Sequence, residues 1–569
     1  MKPGSPHMRA RLTAAAPAAA TVATLAVAAL ALSRRAWGMA ALALAAAALG
    51  PLAARVAEAA ATWAALAALP GPKPVDLSQR FIGCAAALQP SLGNYMESVI
   101  CVWAKTHGPI FKLRAFLRAM VVVTDPEAAT WALSRAAGLA KSVEVYGGIN
   151  LLSDPRGRPT LLSRPTDDPA WRAVRKAVAP AFATAALRER WPRVLAAARE
   201  AAGVVGVAAA AGKPLDVDAL AAAESLQVIA SVGFNIEDAG AIAAEKARVA
   251  GAAPPPPPVP GLDRAVDKLH TATRVAEQYI VKPWIAWPVA RLLPSVRAGR
   301  AALSDFRTTV DAVLAAADAA TPGNDGSLFA RIREVCRPGG GGCGAALASE
   351  AGLIFFAGVD TSSHTLAATL ALLAGHPAAG DRLAAELEGA GLLASPRARA
   401  RDPAFPDLSR LPYLAACLRE SMRLIPVAAG GTGRIVGAGG ATLAGHKVPE
   451  GVEIWVPFYA LHRSVAAWGS DASSFNPDRF LGPDPAGPDA ARRFAPWSLG
   501  SRDCAGRGLA EVNLATALAC LWGRFSFAFA EGKTGSVAEF EAGLEMAVTL
   551  QPAAGVWLVA TERRPVVEE

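Results

Sequence analysis

Cys504 and the run around it constrain this chain more than any other feature. The run reads Ala495-Pro-Trp-Ser-Leu-Gly-Ser-Arg-Asp-Cys-Ala-Gly-Arg-Gly508. From Leu509 the sequence turns Ala- and Leu-rich and reads as a helix. A thiolate placed just ahead of a helix N-terminus is stabilised by the unpaired N–H groups and the dipole there. Gly500 and Gly506 allow positive φ and close approach of the backbone to a flat ligand. Thiolate ligation of iron needs this arrangement, and the sulfur then pushes electron density onto the metal in favour of O–O cleavage. The competing reading is a buried structural cysteine, the usual state of a free thiol.

The run closely resembles the haem-binding loop of the cytochromes P450, Phe/Trp-Ser/Gly-x-Gly-x-Arg-x-Cys-x-Gly. Trp497, Ser498, Gly500, Arg502, Cys504 and Gly506 occupy its positions. The resemblance implies a mainly α fold with a minor β-sheet region, the cytochrome P450 fold. Haem b would lie between a long oxygen-groove helix and the helix after the cysteine loop. It also makes Cys504 the iron ligand, with Trp497, Arg502 and Gly506 around the cofactor.

Other features bound what else the chain can be. Of its 569 residues, 53% are hydrophobic, enough for a large core, and 18% are charged, against the usual quarter. The net charge is +9, yet residues 1–57 carry Lys2, Arg9, Arg11, Arg34, Arg35 and Arg55 and no acid. The remainder is near balance, which argues against a nucleic-acid partner. Seven cysteines at irregular spacing imply no disulfide framework. Cys336 and Cys343 flank a glycine-rich stretch with no further His or Cys pair nearby, so a linker is a better reading than zinc.

Ala14–Leu32 is apolar and uncharged and ends at Arg34-Arg35; a second apolar stretch covers Ala36–Ala54. Each is near the ~20 residues that span a bilayer, although Ala is a weak membrane residue beside Leu or Ile. Leu69-Pro-Gly-Pro-Lys-Pro74 follows, where prolines stop a helix. It resembles the proline-rich hinge of membrane-anchored cytochromes P450. The expected division is an anchor or transit segment over 1–69, a hinge at 70–74 and a haem-thiolate domain over 75–569. The anchor reading puts the protein in the endoplasmic reticulum membrane with its body in the cytosol. A basic, acid-poor, small-residue-rich leader would instead take it to a chloroplast or other organelle membrane, and a cleaved secretory signal is a third alternative.

In the body, Gly108–Leu113 and Met120–Thr124 read as strands bounded by turn residues, and Asp125-Pro-Glu127 opens a helix. Long Ala/Leu/Arg helices follow. The proline run Ala252–Gly261 and the glycine-rich Pro338–Gly344 interrupt them. Strands return at Val452–Val456 and near both ends of Val548–Leu558. No internal repeat is present.

Four further segments carry chemistry. In Gly352-Leu-Ile-Phe-Phe-Ala-Gly-Val-Asp-Thr-Ser-Ser-His364, Gly358 costs a helix ~1 kcal/mol against Ala, and Asp360 and Thr361 are polar in apolar surroundings. A break in the helix ladder here would open a groove where a hydroxyl and a carboxylate relay protons. The alternative is a Ser/Thr face bonding its own carbonyls. The segment resembles the family's oxygen-activation motif, which makes Asp360 and Thr361 the catalytic pair; His364 reads as packed. In Leu411–Pro426, Glu420 and Arg423 share a helix face. This is the family's Glu-x-x-Arg helix, and Phe475-Asn-Pro-Asp-Arg-Phe480 supplies the third member, Arg479, with Asp478 in place of Glu. The resemblance gives these three a structural role, and a solvated surface pair is the alternative.

Trp171 and Arg175 lie four apart in Trp171-Arg-Ala-Val-Arg-Lys-Ala-Val-Ala-Pro-Ala-Phe182, matching the Trp-x-x-x-Arg that reaches the haem propionates. Arginine binds carboxylates bidentately. Arg434 is the family's further propionate ligand, and His462-Arg463 matches a common pair of positional role. The walls of the substrate pocket are expected from Glu144–Ser163, Phe355–Ala357, Val427–Thr432 and Met546–Thr549, all apolar or small. The resemblance spans roughly residues 75–560. It implies a monooxygenase that inserts one oxygen atom from O2 into a lipophilic small molecule. Electrons would come from NADPH through NADPH-cytochrome P450 reductase, or through ferredoxin in a plastid or mitochondrion. A haem-thiolate isomerase or dehydratase acting on a hydroperoxide, and a non-catalytic haem sensor, are the alternatives.

Overall fold

The computed structural model describes residues 50, 53–74, 83–84, 87–88, 93–134, 139–153, 157–281, 292–321, 323, 325–337, 346–394, 400–481 and 493–563. The apolar stretch Ala14–Leu32, most of Ala36–Ala54 and the glycine-rich Pro338–Gly344 lie outside these residues. Among the described residues no helix is long and apolar enough to cross a membrane.

The β-branched runs pair as their composition requires. Strands β1 (Ile110–Ala115) and β2 (Arg118–Val123) form an antiparallel hairpin, with Ile110 opposite Val123. Its turn holds Phe116 at φ 53. Strands β3 (Ala140–Lys141), β4 (Thr432–Ile435) and β5 (Glu453–Val456) complete a sheet of order β1-β2-β5-β4-β3, in which β2 and β5 run parallel. This sheet covers its own apolar cluster, which includes Val121, Val123, Ile454 and Val456.

Nine helices position the site: α1 (Val143–Ser153), α2 (Pro169–Val178), α3 (Thr184–Ala210), α4 (Val217–Val228), α5 (Ala265–Val281), α6 (Pro294–Ala320), α7 (Leu347–Gly375), α8 (Pro412–Leu424) and α9 (Arg507–Arg524). The central one is α7, apolar almost all round and buried over most of its 29 residues, as such a pattern requires. It packs against α4, α1, α8 and α9, while α9 also packs on α3 and α5 lies against α1 and α6. Strands β6 (Phe525–Phe529), β7 (Leu544–Ala547), β8 (Thr549–Pro552) and β9 (Trp557–Glu562) close the C-terminal side. There β9 pairs with β6 and β7 with β8. The architecture is mainly helical with small sheets, and the proline run at 252–257 is exposed and without regular structure.

The residues just before the expected hinge are packed. Leu66 and Leu69 are buried in the cluster under the sheet. The Pro70 carbonyl accepts the Lys112 N–H at 2.8 Å, and Lys112 Nζ bonds the Leu66 carbonyl at 2.9 Å. A Cβ at Gly71 would collide with the Lys112 carbonyl. The helix over 53–65 ends in a turn at 66–68, and Leu66 and Leu69 then pack on the sheet ahead of the prolines.

Candidate active site

The cysteine loop folds back on itself. The Cys504 N–H donates to the Trp497 carbonyl at 2.8 Å, and the Ser498 N–H to the Ala495 carbonyl at 3.0 Å. Gly500 has φ 75, as its loop position demands, and Ser498 also has a positive φ of 59. Gly506 does not need that freedom: as the residue before α9 it has φ −86. A Cβ there would meet nothing within 4 Å and Gly506 lines the central cavity, so its glycine keeps space open beside Cys504. Cys504 lies deep in the molecule, yet its exposed surface faces that cavity. Burial raises the thiol pKa; the N–H groups of Gly506 and Arg507 and the charge of Arg175 act the other way. The helix N-terminus thus opposes but does not overcome burial, and a coordinating metal is what ionises such a thiol outright.

The loop rests on a buried ion network. Glu420 and Arg423 meet bidentately, both bonds 2.7 Å, with both side chains fully buried. Arg423 also donates to the carbonyls of His462 at 2.9 Å, Ala472 at 2.6 Å and Ser474 at 3.0 Å. Arg479 Nε lies 3.4 Å from Glu420 Oε1, and the Asn476 N–H donates to the same oxygen at 2.8 Å. The network reaches the cysteine loop through His462, whose Nε2 accepts the Ala495 N–H at 3.0 Å. Burial, then the charge of Arg423, lowers the His462 pKa to about 3, so the ring stays neutral and can accept.

On the other side of the cavity, cations crowd together. Lys141 and Arg434 are direct cross-strand partners on β3 and β4, both buried. Like charges in that position repel. Arg502 adds a third charge. Its Nη2 donates to the carbonyls of Leu161 at 3.2 Å and Leu162 at 2.8 Å, while Nη1 is buried without a hydrogen-bond partner among the described residues. Burial, then Arg502 and Arg434, lowers the Lys141 pKa well below its usual value. Burial, then Arg434, lowers that of Arg502 to about 10. The neighbouring acids are engaged elsewhere, Glu453 by Arg118 and Asp503 by Arg175 at 2.5 Å. Trp171 stacks on Arg502, the guanidinium carbon 4.5 Å from the ring, and donates to the Leu161 carbonyl at 3.2 Å. Asp168 caps α2 ahead of Pro169 and so aims Trp171 and Arg175 together. Two buried cations and a half-buried one, none paired with a carboxylate, fit a dicarboxylate ligand. Lys141, Arg502, Cys504 and Gly506 line the cavity, with Arg434 buried beside Lys141; this donor set fits a haem, whose carboxylates these cations would hold. Arg175 is held by Asp503 and borders that group.

The groove expected in α7 is not a break: the helix is continuous through 357–361. The Thr361 hydroxyl donates to the Ala357 carbonyl at 2.7 Å, and Thr365 to Thr361 at 2.8 Å, so the Ser/Thr face does bond its own carbonyls. Gly358 packs closely on Ile229, whose Cδ1 a Cβ would approach to 2.9 Å. Ala357, Gly358, Thr361 and Thr365 line the cavity opposite Cys504. Asp360 does not. It is fully buried, accepts from the Thr549 hydroxyl and faces His364 and His270. Neighbours on a helix point about 100° apart, so the pair cannot share one target.

The cavity measures about 490 Å3, within the range of small-molecule sites. Leu161 and Leu162, Phe356 and Ala357, Val427 to Thr432 except Ala429, and Met546 with Val548 and Thr549 line it. Phe355 is turned away onto Phe234. Sequence reasoning missed Lys141, and also Glu277, which comes from α5. Glu277 lines the cavity, accepts from the Tyr95 hydroxyl at 3.0 Å and the Val548 N–H at 3.1 Å, and is raised in pKa by burial.

Comparison with family models matches residues 72–317 and 338–553 to cytochrome P450. The chain belongs to the cytochrome P450 family. It is 36% identical over 194 residues to a cytochrome P450 monooxygenase of Gibberella zeae, covering 34% of this chain and 43% of the relative. It is 34% identical over 181 residues to a cytochrome P450 monooxygenase of Penicillium oxalicum, covering 32% and 34%. A cytokinin hydroxylase of Arabidopsis thaliana is 32% identical over 212 residues, covering 37% of this chain and 38% of the relative. The chain spans less than half the length of each of these curated relatives.

Proposed function

We propose that this P450 is a monooxygenase that inserts one oxygen atom from O2 into a lipophilic small molecule. The observation that carries the reading is the crowding of Lys141, Arg434 and Arg502 beside the cavity into which Cys504 opens. Haem bound there would supply dioxygen activation and atom transfer. Cys504 ligates the iron and donates electron density to it. Lys141, Arg434 and Arg502 hold the carboxylates, Trp171 braces Arg502, and Arg175 with Asp503 guards the rim. Trp497 and Gly506 shape the floor. Glu420, Arg423 and Arg479 hold the loop in register through His462.

Thr361 presents its hydroxyl from α7 at the cavity and governs protons and water there. Asp360 acts at one remove, because Thr549, which donates to it, is the member of that pair lining the cavity. The apolar walls favour a lipophilic substrate, and the buried Glu277 offers an acceptor to a hydroxyl or amine on it. Electrons come from NADPH through NADPH-cytochrome P450 reductase, or from ferredoxin if the protein resides in a plastid or mitochondrion. Residues 14–32 favour an endoplasmic reticulum anchor with the body in the cytosol. Membrane fractionation with sequencing of the mature N-terminus separates this from an organelle leader. The functional test is turnover of lipophilic candidates with NADPH and the reductase. Product that depends on both supports the reading, and conversion of a hydroperoxide without either overturns it.

A further inference from the structure

Away from the haem cavity, three side chains from two helices converge. His270 lies on α5, and Asp360 and His364 lie four apart on one face of α7. Asp360 Oδ1 is 3.4 Å from His364 Nε2 and 3.7 Å from His270 Nε2, and all three atoms fall within 4.8 Å of one another. All three are buried atoms without a hydrogen-bond partner. None of these residues lines the Cys504 cavity.

The surroundings orient each toward the common centre. Thr549 occupies the other oxygen of Asp360, leaving Oδ1 free. Asp218, at the start of α4, bonds His364 Nδ1 at 2.7 Å, which leaves Nε2 to face Asp360. The two rings lie 5.3 Å apart and tilted by 31°. Arg274, the nearest cation on α5, is taken by Glu545 at 2.7 Å. A neutral imidazole nitrogen opposite a carboxylate oxygen is a contact between two acceptors, so a cation is needed between them, either a proton or a metal.

We propose that His270, Asp360 and His364 bind one Zn2+ ion at a site separate from the haem. Two imidazoles and one carboxylate are a zinc donor set, and Mg2+ and Ca2+ prefer all-oxygen ligands. With metal–ligand bonds of about 2.0–2.1 Å, the edge of a tetrahedral site is about 3.4 Å; the two edges here are 3.4 and 3.7 Å. The carboxylate behind a ligating histidine is the usual outer partner that fixes tautomer and ring, and Asp218 stands there. The His270 side chain is 21% exposed, although its Nε2 is buried.

The test uses the haem-loaded full chain and does not depend on its substrate. Equilibrium dialysis against Zn2+ with metal quantification should find one more tight equivalent in the wild type than in His270→Gln. Asp218→Asn should weaken that equivalent about 10–100-fold. His270→Gln alters a partly exposed side chain, and an unchanged carbon monoxide spectrum certifies its fold. X-ray absorption at the zinc edge should give a shell of nitrogen and oxygen at about 2.0–2.1 Å. Equal stoichiometry and affinity in wild type and His270→Gln would overturn the proposal. So would a first shell containing sulfur at about 2.3 Å, which would assign the metal to free cysteines.

Discussion

The two walls of the haem cavity hold their functional residues by opposite means. On the proximal side, Cys504 sits in a loop whose backbone is pinned by its own hydrogen bonds and by His462, itself tied to the Glu420–Arg423–Arg479 network. On the distal side, Asp360 and Thr361 sit on a straight helix, and their targets diverge: Thr361 meets the cavity and Asp360 meets two histidines. A loop motif specifies backbone shape, so its residue types carry geometry with them. A helical motif specifies only an angular offset, and the helix's rotation against its neighbours decides what each side chain meets.

That contrast predicts where substitutions hurt. Glu420→Ala should have the largest effect on stability, about 3–5 kcal/mol, because it leaves Arg423 buried without its partner. Haem retention should fall with it, as the loop loses its support. Chemical denaturation of the purified variant checks this; normal stability and full haem content would mean that the loop holds itself.

A smaller change of opposite sign is expected where the two walls are joined. Glu224 on α4 accepts from Asn513 on α9 at 3.2 Å, and burial raises its pKa to about 8. A carboxyl whose folded pKa lies above its unfolded value near 4.5 holds an extra proton in the native state. Stability then falls as pH rises from about 4.5 to about 8. Glu224→Gln should raise the melting temperature at pH 8 and change it little at pH 5. A pH-independent difference between the two proteins would contradict the assignment.

The distal wall should show the smallest change in stability and a clear change in chemistry. Thr361→Ala removes one hydroxyl bonded to its own helix, worth less than about 1 kcal/mol, and should leave haem binding intact. Turnover should become uncoupled, with NADPH consumed and peroxide released in place of product. Product yield per NADPH measures it. Unchanged coupling in Thr361→Ala would remove the hydroxyl from proton control and with it the distinction between the two residues of the motif.

The same physics explains what was legible in the sequence. The cysteine loop and the Glu420–Arg423 spacing could be read because loop glycines and an i, i+3 ion pair carry their geometry locally, and the Phe475–Phe480 segment pointed to Arg479. The family's shape, mainly helix with small sheets, followed from the same resemblance. Gly500 and Gly506 divide the two uses of glycine read for them: Gly500 takes the positive φ and Gly506 leaves space beside the cavity. The break expected in α7 is absent because Gly358 answers to Ile229, a neighbour 129 positions earlier. Lys141, Glu277, Asp218 and His270 went unread for a like reason. Each joins its site from an element distant in sequence, and no local spacing marks it.

The central claim is that Cys504 holds a haem iron through sulfur at the cavity between the cysteine loop and α7. The most direct measurement is the absorption spectrum of the reduced carbon monoxide complex, for wild type and Cys504→Ser at matched haem content. The wild type should show a Soret band strongly red-shifted from that of histidine-ligated haem, and the variant should lose that band, since a serine hydroxyl is a poor substitute for thiolate. Identical spectra from the two proteins would contradict the account.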